Sequence, residues 1–304
     1  MLLPRIVWEA VLLGFAVAVA AGLLLSTEFA MGLSFWYAFA TLGLLAAGFA
    51  LSVRTGTPNL AIASIASLSG VVYAKVVQAD QPVVIAGALA VGLALVIGLV
   101  LGVVTGVLSA PAWAVSLGGF AVVMGIALAV ADARGVPVVG AGRPGWFGAL
   151  LWSLVFVAGS VAGGLLFLQA KVRAFLGGQR LVAALAGLAG SSLLAGISGV
   201  VWASWLGASF PGGDLQRLFL AVAAAVLGGV SLARGGVGGY VGTVLATALL
   251  LLLDMWVRVV GLEAPWGLGL SGLAIVIGLL VSQLLDRLSP SPAPARTPAA
   301  DVSG

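Results

Sequence analysis

The chain predicts an all-α integral membrane protein of about ten transmembrane helices, some short or broken, with both termini in the cytoplasm. Of its 304 residues, 62% are hydrophobic and only 7% are charged, which is more apolar surface than one soluble core can hide. Apolar runs recur almost from end to end, many reaching the ~20 residues that cross a hydrocarbon core. These runs are continuous. Backbone in lipid must form helices or a closed barrel, and barrel strands alternate in and out, so the continuous runs are helices.

Charges and turn residues divide the chain into ten spans, at 6–25, 33–53, 60–77, 82–110, 111–131, 146–168, 181–206, 218–232, 239–257 and 267–285. The first contains Glu9 and no convincing small-residue cleavage site, so it reads as a retained helix and not a signal peptide. Before the third span, Thr57 suits a helix cap and Pro58 the first turn. Asn59 opens a polar face that Ser64 and Ser67 continue; the plainer alternative bonds the serines to their own backbone. In the fourth span Gly98, Gly102 and Gly106 share a face at four-residue spacing, which suits close helix packing. The eighth span is too short to cross. It runs into a stretch holding Gly228, Gly229, Arg234, Gly235, Gly236, Gly238 and Gly239, which reads as two helix ends meeting at a break. Thr243 and Thr247 follow, four apart on one face. Transporters expose helix termini and free backbone to the solute at such breaks, so Asn59, Ser64, Ser67, Thr243 and Thr247 are the expected path residues. The tail 289–304 is too polar and Pro-rich to pack and is expected to be disordered in the cytoplasm, leaving 1–288 as one polytopic domain.

Lys and Arg set the orientation. With the amino terminus inside, the cytoplasm receives Arg5, Arg54, Lys171, Arg173, Arg180, Arg234, Arg287 and Arg296. The outside receives Lys75, Arg134, Arg143, Arg217 and Arg258, with most of the acids. The absence of cysteine excludes disulfides and thiolate metal sites, and histidine is absent too. The pI near 10.1 comes from 13 basic against 9 acidic residues, scattered singly, so no nucleic-acid surface is expected. No nucleophile stands with a base and no metal-ligand spacing occurs, so no catalytic or metal residues are assigned. Glu9 has Arg5 four residues before it and Asp254 has Arg258 four after it. Both are read as helical neighbours that neutralise each other, which leaves no proton relay.

The segment "GTPNLAIASIASLSG" resembles the Gly-Ile-Asp-Leu-Ser-Val-Gly-Ser segment of the membrane permeases of bacterial ABC importers for ribose and other simple sugars. "GLVLGVVTGVLSAPAWAVSLGGF" is similar to that family's glycine-rich helix with its Pro and Val-Thr-Leu-Gly block, here Val115 to Gly118. "AVAAAVLGGVSLARGGVGGYVGTVLATALL" resembles its Val-Leu-Gly-Gly-Thr-Ser-Leu segment with the turn and Gly-Thr that follow. The blocks stand in family order. Branched-chain amino acid and nucleoside permeases are relatives of the same kind.

The resemblance implies a permease in the bacterial inner membrane that pairs with a second permease chain, identical or not. It also implies two cytoplasmic ATPases, an extracytoplasmic solute-binding protein and, as cargo, a small polar solute such as a simple sugar. The chain has no phosphate-loop motif, so no cofactor is expected on it and ATP belongs to the partner. Two departures stand out. The family's Asp is Asn59 here, and the usual cytoplasmic docking segment is reduced to a short loop, 169–180. In that loop Val172, Phe175 and Leu176 would anchor an ATPase, with Lys171, Arg173 and Arg180 around them. An ATP-independent secondary transporter and a degenerate or scaffolding partner subunit remain the alternatives.

Overall fold

The computed structural model describes residues 3–26, 31–140, 142–212, 215–231, 241–262 and 264–288. Among these it has eleven helices: α1 (Leu3–Ser26), α2 (Leu33–Arg54), α3 (Ile62–Gln78), α4 (Val83–Val107), α5 (Ala112–Val130), α6 (Trp146–Leu168), α7 (Ala170–Gly178), α8 (Arg180–Leu206), α9 (Leu215–Leu227), α10 (Gly242–Val259) and α11 (Ala264–Leu288). Two short strands, β1 (Val136–Pro137) and β2 (Ala208–Ser209), pair antiparallel. Eight helices are long and apolar enough to cross a membrane, and the shorter α3 and α9 are apolar as well. These ten match the ten sequence-derived spans. At about 1.5 Å per residue, the 17 residues of α3 and the 13 of α9 fall short of a hydrocarbon core. Both are therefore short for a span.

Contacts between helix ends sort the bundle into two ends. At one, β1 after α5 meets β2 after α8, Gln78 at the end of α3 donates to Pro137 O at 2.8 Å, and Lys75 meets Asp132 at 4.0 Å. At the other, Arg180 at the start of α8 reaches Ala110 O before α5 at 3.5 Å, and α7 joins α6 to α8. These are called the β end and the α7 end. Successive spans alternate in direction between them.

Helix α2 is the axis, with 78% of its most apolar window buried against 17% for α1. It packs on α6, α8, α9 and α10; α1 lies outside on α10, and α11 on α9. Helix α8 is gripped by α2, α3 and α4. The α4 glycine stripe faces it: a Cβ on Gly98 would sit 2.6 Å from Leu188 O, and one on Gly106 would sit 2.6 Å from the Leu181 side chain. Helix α8 replies with Gly196 against Ala94 and Gly199 against the backbone of Ala66. Without a strong hydrophobic drive between helices in lipid, such backbone approach supplies dispersion contact.

Two expectations are corrected. Helix α3 starts at Ile62, so Thr57 is not its cap and Pro58 is not in its first turn. Thr57 instead bonds Thr55 Oγ1 at 2.8 Å and Ser52 O at 3.4 Å, helping to close the end of α2. The proline ring disfavours helical geometry in the residue before it, and Gly56 adopts φ +74, so the chain breaks at 55–61. The segment 169–180 is largely helical rather than a loop, because "AKVRAFLGG" can form two turns before Gln179.

Candidate functional site: a polar vestibule at the β end

A cavity of about 380 Å³ opens where the starts of α2 and α9 meet the ends of α8 and α10. Phe35, Ala38, Leu42, Leu220, Leu251 and Met255 make its apolar wall, while Thr41, Trp202, Gln216, Arg217, Asp254 and Arg258 bring polar groups. Its charge is organised by α10. Arg258, one turn past Asp254, donates from Nε at 3.1 Å and Nη2 at 3.0 Å to one carboxylate oxygen, and Gln216 donates to the other at 3.3 Å. Asp254 is half-buried and Arg258 exposed, so the pair lies at the rim rather than deep in lipid. The Arg217 guanidinium lies 4.6 Å from the centroid of the Trp202 ring, a cation–π contact that presents a flat face with a charged edge. Apolar walls with a few fixed polar groups are what small-solute sites are made of.

A second cavity, of about 220 Å³, lies against α3 and shares Trp202 and Arg217 with the first. Ser67 lines it, beside Ala66, Gly199, Ser209 and Phe210. Ser67 Oγ points to Phe210 O at 3.5 Å, so the strand β2 segment stands over this serine.

The other expected path residues are packed inside. Asn59 is fully buried and donates to Ser191 Oγ at 2.7 Å and Ser192 Oγ at 3.2 Å on α8, while its Oδ1 accepts from Ala61 N at 3.0 Å. Ser64 is bonded to Ala61 O of its own turn at 3.0 Å. Thr243 and Thr247 are buried on one face of α10, with the Thr247 hydroxyl on Thr243 O at 2.7 Å. Pro58 O accepts from Ser116 Oγ at 3.1 Å, tying the first break to α5. At the second break Gly228 and Gly242 touch backbone to backbone and Gly229 takes φ +89, so the two helix ends do meet. Arg234, Gly235, Gly236, Gly238 and Gly239 lie outside the described residues.

At the α7 end, Phe175 is exposed, Val172, Arg173 and Leu176 are half-buried, and Lys171 and Arg180 are exposed. Arg173 donates to Phe167 O at 2.7 Å and, with Leu176, lines a cavity of about 200 Å³ beside Arg54, Thr55 and Gly56 at the end of α2. This cavity thus lies between α7 and the first break.

No family model and no solved structure matches the chain. The probable ABC transporter permease protein y4mJ of Sinorhizobium fredii is 30% identical over 277 residues, covering 83% of this chain and 80% of the relative. This chain belongs to the ABC transporter permeases. The probable ABC transporter permease protein YphD of Escherichia coli is 29% identical over 275 residues, covering 82% of this permease and 80% of that one. The permease is a multi-pass membrane transport protein and not an enzyme, and ABC permeases work with ATPase and binding-protein partners.

The vestibule residues were not singled out by sequence reasoning. Gln216 and Arg217 follow a turn, and Asp254 with Arg258 reads as a self-neutralising pair; only the meeting of α9 with α10 makes them one site. The available signal was an acid at the end of a buried span together with an Arg and a Gln at the start of its neighbour.

Proposed function

We propose that this permease is a subunit of an ABC importer and forms the translocation path for a small polar solute, in the first place a simple sugar. The β end faces outward toward a solute-binding protein, and the α7 end faces ATPases that carry the ATP. A second permease chain completes the path. The observation that supports this reading is the vestibule. In a bundle whose surface is almost wholly apolar, Trp202, Gln216, Arg217, Asp254 and Arg258 converge on one cavity, and a second cavity that shares Trp202 and Arg217 is lined by Ser67. Sugars offer CH faces to rings such as Trp202 and hydroxyls to carboxylate, amide and guanidinium groups. Asn59, Ser64, Thr243 and Thr247 stand behind the lining, and Asn59 ties the start of α3 to α8. Docking of the ATPase uses Phe175, Val172 and Leu176 as apolar anchors, with Lys171, Arg173 and Arg180 at the rim.

The test is uptake of labelled ribose and related monosaccharides by the complex with its ATPase and binding protein in proteoliposomes. Ser67→Trp and Trp202→Ala should each lower uptake by about tenfold or more, the ratio given by the loss of one good contact, with normal membrane insertion. Normal uptake in both variants would remove the two cavities from the path. ATP-driven uptake of an amino acid or nucleoside in place of sugars would keep the importer and replace the solute.

A further inference from the structure

The outer helix α1 makes a set of directional polar contacts toward the α7 end. In α1, Arg5 is buried and Trp8 and Glu9 are half-buried, although most of the helix faces outward. Trp8 Nε1 donates to Leu227 O, the last carbonyl of α9, at 2.7 Å. Glu9 Oε1 accepts from Val241 N at 3.1 Å and Gly242 N at 3.0 Å, the first amides of α10. Arg5 Nη2 lies 3.9 Å from Asp286 Oδ1 at the end of α11, and the other oxygen of Asp286 accepts from Ser231 Oγ, four residues beyond α9. One turn and a half of α1 thus serves both lips of the α9–α10 break.

A helix end leaves carbonyls unmet at its C-terminus and amides unmet at its N-terminus, and a break in a membrane span exposes both where water is scarce. Trp8 supplies a donor to the first set and Glu9 an acceptor to the second. The Glu9 charge also matches the positive end of the α10 macrodipole. A carboxylate this close to lipid is costly unless it is used. The contacts are directional and few, and they join an outer helix to the backbone of both helix ends.

We infer that α1 is a latch on the α9–α10 turn: Glu9 and Trp8 are positioning residues that hold the N-terminus of α10 against the C-terminus of α9, and their release accompanies the nucleotide-driven step. Because α10 carries Asp254 and Arg258 at its far end, release of its near end transmits motion along one rigid helix to the β end. The inference rests on membership of the ABC permeases and not on the vestibule or on the identity of the solute.

The chain has no cysteine, so Val241→Cys, at a position 37% exposed, gives a single reporter on the break. Its labelling by a maleimide is measured in the permease–ATPase complex, with and without ATP and vanadate. In the otherwise natural chain, labelling should be slower at rest than in the trapped state. Glu9→Ala should label about tenfold faster or more at rest, because it loses both charge-assisted hydrogen bonds to the α10 amides in a two-state opening. ATP and vanadate should add little to that rate. Glu9→Gln keeps an acceptor oxygen and should fall between the two, which separates the latch from general damage. The inference is overturned by labelling at position 241 that is equal in all three proteins, or by a nucleotide response unchanged in Glu9→Ala. Loss of thermal stability with labelling unchanged would also overturn it, by reducing Glu9 to a packing group. None of these readings requires the solute, so failure of the importer proposal would leave them interpretable.

Discussion

Replacing Asn59 by Ala removes one side chain that makes three hydrogen bonds, two of them between separate parts of the bundle. Two of these cross to Ser191 and Ser192 on α8, and the third closes the turn at Ala61 that begins α3. The losses are unequal. Ser191 still donates to Leu188 O at 3.1 Å, so it forfeits only an accepted bond, whereas Ala61 N is left in a fully buried turn with no side-chain acceptor. A buried orphan amide costs about 1–3 kcal/mol and each lost bond to a hydroxyl about 0.5–1.5 kcal/mol, so the whole change is about 2–4 kcal/mol after partial relaxation. Ser64→Ala is the control. Its hydroxyl bonds only the carbonyl of its own turn, and its loss should cost less than about 1 kcal/mol. The assay is the apparent melting midpoint in detergent, followed by the fraction of protein that stays monodisperse. A fall of roughly 5–10 °C is expected for Asn59→Ala at about 2–4 °C per kcal/mol, and almost none for Ser64→Ala. Equal midpoints for the two variants would refute the argument, because burial alone would then have been mistaken for a structural tie.

Single cysteines at positions 171 and 296 should resist an impermeant reagent in intact cells and react after permeabilisation; ready labelling in intact cells would invert the membrane orientation. Phe175→Ala should leave ATP hydrolysis running without uptake, and Arg173→Glu should weaken co-purification of the ATPase in a salt-sensitive manner. Full coupling in Phe175→Ala would reduce α7 to a basic segment retained in the cytoplasm.

The ten apolar helices were legible because span length and hydropathy are local properties. The expected 33–53 is observed as Leu33–Arg54, and 181–206 as Arg180–Leu206. The second break was also legible, since the glycines around 228–242 interrupt an apolar run. The start of α3 was missed by several residues because a cap was assigned from Thr57 and Pro58 alone, while Asn59 Oδ1 makes the actual turn with Ala61 N. The polar chemistry was less visible because its partners are remote in the chain. Glu9 reads as the neighbour of Arg5 on a helix face, and only the fold aims it at amides more than 230 positions away. The same limit hid the vestibule: i, i+4 pairing accounts for Asp254 and Arg258 so completely that no further role is suggested until Gln216, Arg217 and Trp202 are brought beside them.

The contact of Gly199 with the Ala66 backbone, and of Gly98 with Leu188 O, bears on where the molecule can yield. Side chains absorb displacement by changing rotamer, but two backbones in contact have no such compliance. Helices α3, α4 and α8 therefore behave as a keel, and any change of shape under load has to be taken up elsewhere, along α9, α10 and the outer α1 and α11. A small antibody or cyclic peptide raised against the keel would bind every state of the working cycle with the same affinity. One raised against the α1–α10 seam would sort those states, and would act as an inhibitor or a trap according to the state it preferred.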